Sequence, residues 1–148
     1  MSRTAKYRSV IAVGALWLIV AAAGCSGDGE KLVPAEGVVL IDGKPAANIS
    51  VQFMPDVLQG GKGPTSFGTT DAEGKFKLQT NAGRLGAVPG PHKVTLTDDE
   101  DERPAQGQET KKLPRLDPKY TTATGGLSIE VKGDGQPIKI ELPRFRGS

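Results

Sequence analysis

Asn48-Ile49-Ser50-Val51-Gln52-Phe53 alternates apolar and polar residues without a break, so Ile49, Val51 and Phe53 share one face. Successive side chains of a strand point to opposite faces, and this period of two marks a half-buried β-strand. The same period extends to either side. Upstream, Val38-Val39-Leu40-Ile41 is a short apolar run closed by the turn residues Asp42-Gly43-Lys44-Pro45. Downstream, Phe67 to Thr70 reads as a strand, Asp71-Ala72-Glu73-Gly74 as its turn, and Lys75 to Gln79 as the return with Phe76 and Leu78 inward.

Three more segments follow the pattern. His92 to Thr97 turns Val94 and Leu96 inward, Leu127 to Lys132 turns Leu127, Ile129 and Val131 inward, and Gly133-Asp134-Gly135 leads into Ile138 to Leu142. With the first four these make seven short strands, and no segment after the N-terminal apolar stretch has a helical period. The expected fold is all-β, a seven-stranded antiparallel β-sandwich. Two connections stand out: the glycine-rich loop 59–66 and the long stretch 98–126. The latter opens on Asp98-Asp99-Glu100-Asp101-Glu102, and connections of that length are functional or disordered. Disorder is expected from Asp98 to Lys112, while Leu113, Leu116 and Tyr120 are placed to dock the second half back on the sandwich.

Particular motifs connect this pattern to a family. Gly37-Val38-Val39 through Gly43-Lys44-Pro45, and then Thr70-Asp71-Ala72-Glu73-Gly74-Lys75-Phe76, resemble carboxypeptidase regulatory-like domains. In those domains threonine-aspartate, two residues, glycine, one residue and phenylalanine form the most specific motif. Val88-Pro89-Gly90-Pro91-His92-Lys93-Val94 is similar to their proline-glycine strand entry, with His92 where a tyrosine is usual. The resemblance covers Glu36 to Leu142. It implies a transthyretin-like (prealbumin-like) sandwich and a supporting or binding role without catalysis.

The N-terminus carries a second signature. Arg3, Lys6 and Arg8 precede an apolar stretch from Val10 to Ala23, which is shorter than the roughly 20 residues of a spanning helix. Ala23-Gly24-Cys25 resembles the lipobox of bacterial lipoproteins, with Ala22 where leucine is common, and Cys25 is the sole cysteine. The resemblance implies cleavage before Cys25 and acylation of its thiol. An unmodified odd thiol outside the cytoplasm would otherwise need explaining. The expected layout is a signal peptide over 1–24, lipidated Cys25 and a tether over 25–35, the sandwich over 36–142, and a C-terminal tail over 143–148. Loss of the first 24 residues leaves 16 basic against 17 acidic side chains, a formal charge of −1. With so few aromatics and no basic stripe, the chain offers nucleic acid no footprint.

Chemistry-bearing residues are sparse. His92 is the only histidine, shares its strand face with Val94 and Leu96, and has no second histidine or thiol partner for catalysis. The ending Phe145-Arg146-Gly147-Ser148 is close to the terminus of transthyretin-like hydroxyisourate hydrolases, but the histidines those enzymes need are missing from the first and last strands. The acid run lacks the alternate spacing and glycine turn of a calcium loop, so a solvated loop is expected there. The expectation is therefore a non-catalytic, lipid-anchored envelope protein without cofactor or metal. Its membrane contact runs through Cys25, and an envelope protein or glycan is the partner class. The alternatives are a glycan- or calcium-binding module using loops 59–66 and 98–126, or a hydroxyisourate-hydrolase-like enzyme.

Overall fold

Alternating segments bury their apolar faces only by packing sheet on sheet, and a computed structural model shows that outcome. It describes residues 29–100, 113–124 and 126–147. Cys25 and the 1–24 signal stretch lie outside the described residues, as does 101–112. Among the described residues nine strands form: β1 (Glu36–Ile41), β2 (Lys44–Pro45), β3 (Ile49–Pro55), β4 (Ser66–Thr69), β5 (Lys75–Lys77), β6 (Gln79–Thr80), β7 (Gly90–Asp98), β8 (Leu127–Val131) and β9 (Ile138–Leu142). In the first sheet β1 pairs antiparallel with β5 and then β2, and parallel with β9. The second runs β6-β4-β3-β7-β8, antiparallel throughout. The fold is an all-β sandwich.

The count of nine against an expected seven has two local causes. Lys44 and Pro45 fold back on Ile41 and Leu40 as a two-residue strand. The segment 75–79, expected as one strand, divides at Leu78: β5 pairs with β1 in one sheet and β6 with β4 in the other. Leu78 is the corner, 1% exposed, its N–H donating to the Ala35 carbonyl. The parallel β1–β9 pairing follows from where the chain returns, since Ile138 to Leu142 run beside Gly37 to Ile41 in the same direction. That approach requires glycine at position 37, where an added Cβ would lie 2.1 Å from the Ile138 carbonyl oxygen and 2.7 Å from the Phe76 ring.

Between the sheets, Val39, Ile41, Phe76, Ile140 and Leu142 of the first meet Ile49, Val51, Phe53, Val94, Leu96 and Val131 of the second, all buried. Leu127 and Ile129 are only half-buried, because β8 is an edge strand.

Each element of the Thr70 to Phe76 motif has a physical role. The Thr70 hydroxyl donates to the Ala46 carbonyl (2.7 Å) and accepts from the Ile49 N–H (2.9 Å), joining the β2–β3 corner to the end of β4. Asp71 Oδ1 accepts from the N–H groups of Glu73 and Lys75, closing the turn. Gly74 takes φ +72°, and a Cβ there would meet the Val39 carbonyl oxygen at 2.7 Å. Phe76 then enters the core. Thr70→Val keeps the shape but leaves two buried backbone groups unpaired, so a loss of about 1–3 kcal/mol is expected in urea unfolding. A loss near zero would mean that water replaces the hydroxyl.

Candidate functional site

The strand registers sort the connections into two ends. Pro55 pairs with His92 at one end of β3 and β7, and Ile49 with Asp98 at the other. Loop 59–66 leaves the first end and the 98–126 connection leaves the second, and from His92 to Asp98 the separation along β7 is roughly 20 Å. The two loops of the ligand-binding alternative therefore depart from opposite ends of the β3–β7 pair.

The first end also holds the start of the described chain. Val33 pairs with Ala87, the Arg84 guanidinium donates to the Glu30 carbonyl, and Gly63 lies against the Glu30 side chain. The last residues of the expected tether are thus docked: Ala35 is buried, and Leu32 and Val33 are half-buried. Next to them, Asp56 caps a short 3-10 helix, Val57–Gln59, by accepting from the Leu58 N–H. Its other oxygen accepts from the Gln59 amide at 2.7 Å, and Lys93 Nζ stands 3.6 Å away. The Gln59 hydrogen bond first, then Leu58 and Lys93, hold the Asp56 carboxyl below the usual range despite its burial. Gly60 ends the helix at φ +85° and Gly61 donates back to the Asp56 carbonyl. The turn is firmly tied, and it holds Val57 and Leu58 out in solvent.

At the opposite end the described part of the acid run, Asp98 to Glu100, is tied to partners. Asp98 is the last residue of β7 and is 5% exposed. Arg115 grips both of its oxygens, through Nε and Nη2, and Nη2 also donates to the Ala47 carbonyl at 3.0 Å. Asp99 accepts from the Ser50 hydroxyl, and Glu100 accepts from the Asn48 amide while standing 3.6 Å from Arg115. Contiguous acids were expected to repel one another into solvent; instead Asp98 at the end of β7 and Asp99 and Glu100 in the turn after it each find a separate partner. Leu116 and Tyr120 dock on the sandwich as expected, while Leu113 stays 56% exposed. The Phe145 N–H donates to the Arg115 carbonyl and the Arg144 N–H to Asp42, so the C-terminal tail joins this end.

His92 is 1% exposed, near the first end, with its ring 5.9 Å from that of Phe53. Nδ1 bonds with the Gly90 carbonyl at 2.9 Å, while Nε2 is buried with no partner among the described residues. Burial pushes the imidazole below its ordinary pKa, and the Gly90 bond opposes this only partly. Arg146, by contrast, lies beside Asp42 at the far end and is largely exposed. The sole histidine and the hydrolase-like tail are thus at opposite ends.

Among the described residues no three of His, Cys, Asp and Glu gather as a metal site, and no helix is long and apolar enough to cross a membrane. Sequence reasoning missed two features. Arg115 had only its position after the long connection to mark it. Val57-Leu58 offered a clearer signal, two apolar residues beyond the strand's alternation between a capping aspartate and a glycine. Comparisons with family models, with curated proteins and with solved structures give no match.

Proposed function

We propose that the chain is a non-catalytic lipoprotein of a bacterial cell envelope, held by acyl chains on Cys25. Its single carboxypeptidase regulatory-like, transthyretin-like sandwich serves as an interaction or support module at the membrane surface. The observation that carries this reading is the placement of Cys25. It directly follows an apolar stretch with a basic start, and Glu30, only five residues later, already packs against the sandwich at Gly63. A chain so arranged carries its domain at the lipid surface with almost no free leash. The non-catalytic part is supported by the core position of His92, whose ring faces Phe53 and not solvent.

Intact mass of the protein from the membrane fraction, beside a Cys25→Ser variant, tests it. The expected mass begins at Cys25 and carries added acyl chains, and the variant loses both the modification and membrane retention. An unmodified soluble product from the wild-type sequence would overturn the reading.

A further inference from the structure

Two five-residue strands lie at sheet edges, β8 in the second sheet and β9 in the first. β9 is bracketed by Pro137 and Pro143 and carries the exposed ion pair Lys139–Glu141, features that blunt an edge against pairing. The opposite edge of the second sheet is the two-residue β6, where Gln79 is already bridged to Leu85. β8 has no proline, and among the described residues no strand lies beyond it. Its inward side chains Leu127 and Ile129 are only half-buried. An open recess of about 430 Å³, lined by Gln59, Pro91, Ser128, Ile129 and Glu130, lies against it.

Only half of the β8 backbone is in use. The Asp56 N–H donates to the Pro91 carbonyl and the Asp99 N–H to the Asn48 carbonyl. The odd-numbered residues of β7 therefore turn their peptide groups toward β3, and the even-numbered ones toward β8. His92 and Val94 stand in register with Ile129 and Leu127, which takes up the backbone of those two residues. Ser128 and Glu130, both exposed, thus point their N–H and C=O groups away from the sheet. On the outer face Lys93 Nζ donates to the Ser128 hydroxyl at 2.9 Å and stands 3.6 Å from Asp56. Asp56 and Glu130 balance Lys93 and Lys132, so this edge carries no net charge to repel its like.

We infer that β8 pairs with β8 of a second copy, antiparallel about a two-fold axis at Ile129, joining the two five-stranded sheets into one. In that register Ser128 lies opposite Glu130 of the second copy, and each such pair exchanges its free N–H···O=C bonds. The Lys93 ammonium, already on the Ser128 hydroxyl, then meets the Glu130 carboxylate of the other copy, and symmetry repeats the contact. On the inner face Ile129 meets Ile129 and Leu127 meets Val131, so the half-buried side chains of the edge gain apolar partners. Charge picks this register. A two-residue slip one way sets Glu130 directly against Glu130; the other way puts it opposite Gly126, out of line with the lysine. The pairing needs no lipid and stands apart from the Cys25 anchor.

The experiment uses the full-length chain with Cys25→Ser, purified in mild detergent, with one cysteine added per variant and copper-phenanthroline as oxidant. Ile129→Cys should form a disulfide-linked dimer, since facing residues at the axis stand about 4.5 Å apart between Cα atoms, within the span of a disulfide. Ser128→Cys should stay unlinked, because the two copies of that residue are offset along the strands and lie about 8 Å apart. Lys139→Cys, on the β9 edge, reports random collision. Glu130→Pro deletes an outward N–H and leaves the bonds to β7 intact, so light scattering should find it monomeric where the parent is dimeric. A monomeric parent, with Ile129→Cys linking no faster than Lys139→Cys, would overturn the pairing. Slow amide exchange at Ser128 and Glu130 in that monomer would assign the edge to another segment of the same chain. Linking at position 128 in preference to 129 would overturn the register and the role of Lys93 with it.

Discussion

Arg115→Met is expected to destabilise the domain by about 3–5 kcal/mol, the cost of leaving a buried carboxylate without its cation. Asp98 is 5% exposed, receives both prongs of the guanidinium and also accepts from the Glu100 N–H. Methionine keeps most of the volume and stem packing, so the loss reads the charge and not a cavity. The same substitution releases the Ala47 carbonyl and frees the 113–121 segment from the end of β7. The double variant Asp98→Leu with Arg115→Met should therefore lose less than the single one, because an apolar pair in place of a buried ion pair is often neutral. Urea unfolding of the three proteins measures both claims. A single-variant loss below about 1 kcal/mol would show that water reaches Asp98 and that the pair behaves as a surface one.

That network marks the boundary of what the residues reveal by themselves. The period-two segments disclosed the sandwich, its inward faces and the turns, because alternation is a local property and each face commits on its own. Phe76, Leu78, Ile49, Val51, Phe53, Val94 and Leu96 are all buried where the alternation puts them. The division of 75–79 at Leu78 left no local mark, since a corner between sheets keeps the same parity as a continuous strand. Neither did the parallel β1–β9 pairing, which depends on where a chain returns after nearly a hundred residues. The acid run misled for the same reason. Five contiguous carboxylates read as solvated when counted along the chain, yet Asp98 takes its environment from Arg115, seventeen positions away. The first end of the sandwich was legible only in part: loop 59–66 was visible as glycine-rich, but its meeting with Glu30 and Arg84 is tertiary.

Phe53→Ala should cost about 3–5 kcal/mol, because it empties the centre of the core. Phe53 is 0% exposed, and its ring lies 6.1 Å from Phe76 on the opposite sheet and 5.9 Å from His92 on the neighbouring strand. Its loss removes the contact that joins the sheets at mid-core, and it also changes the surroundings of the histidine. The sign of the second effect follows from protonation. In the wild type burial holds the imidazole below its ordinary pKa, so between that lowered value and about 6.5 the unfolded chain binds a proton that the folded chain refuses. Stability is full above about 6.5 and falls as pH drops through that window toward the lowered folded value. A cavity beside the imidazole weakens its desolvation and returns its pKa toward normal, so the Phe53→Ala protein should be weaker at every pH yet lose less on going from pH 7 to pH 5. Phe53→Leu refills most of the space and should keep most of the wild-type pH slope. Chemical denaturation of the three proteins across that range, above the region where carboxylates titrate, separates the two effects. An unchanged slope in Phe53→Ala would show that desolvation by the phenyl ring is not what suppresses the histidine's proton.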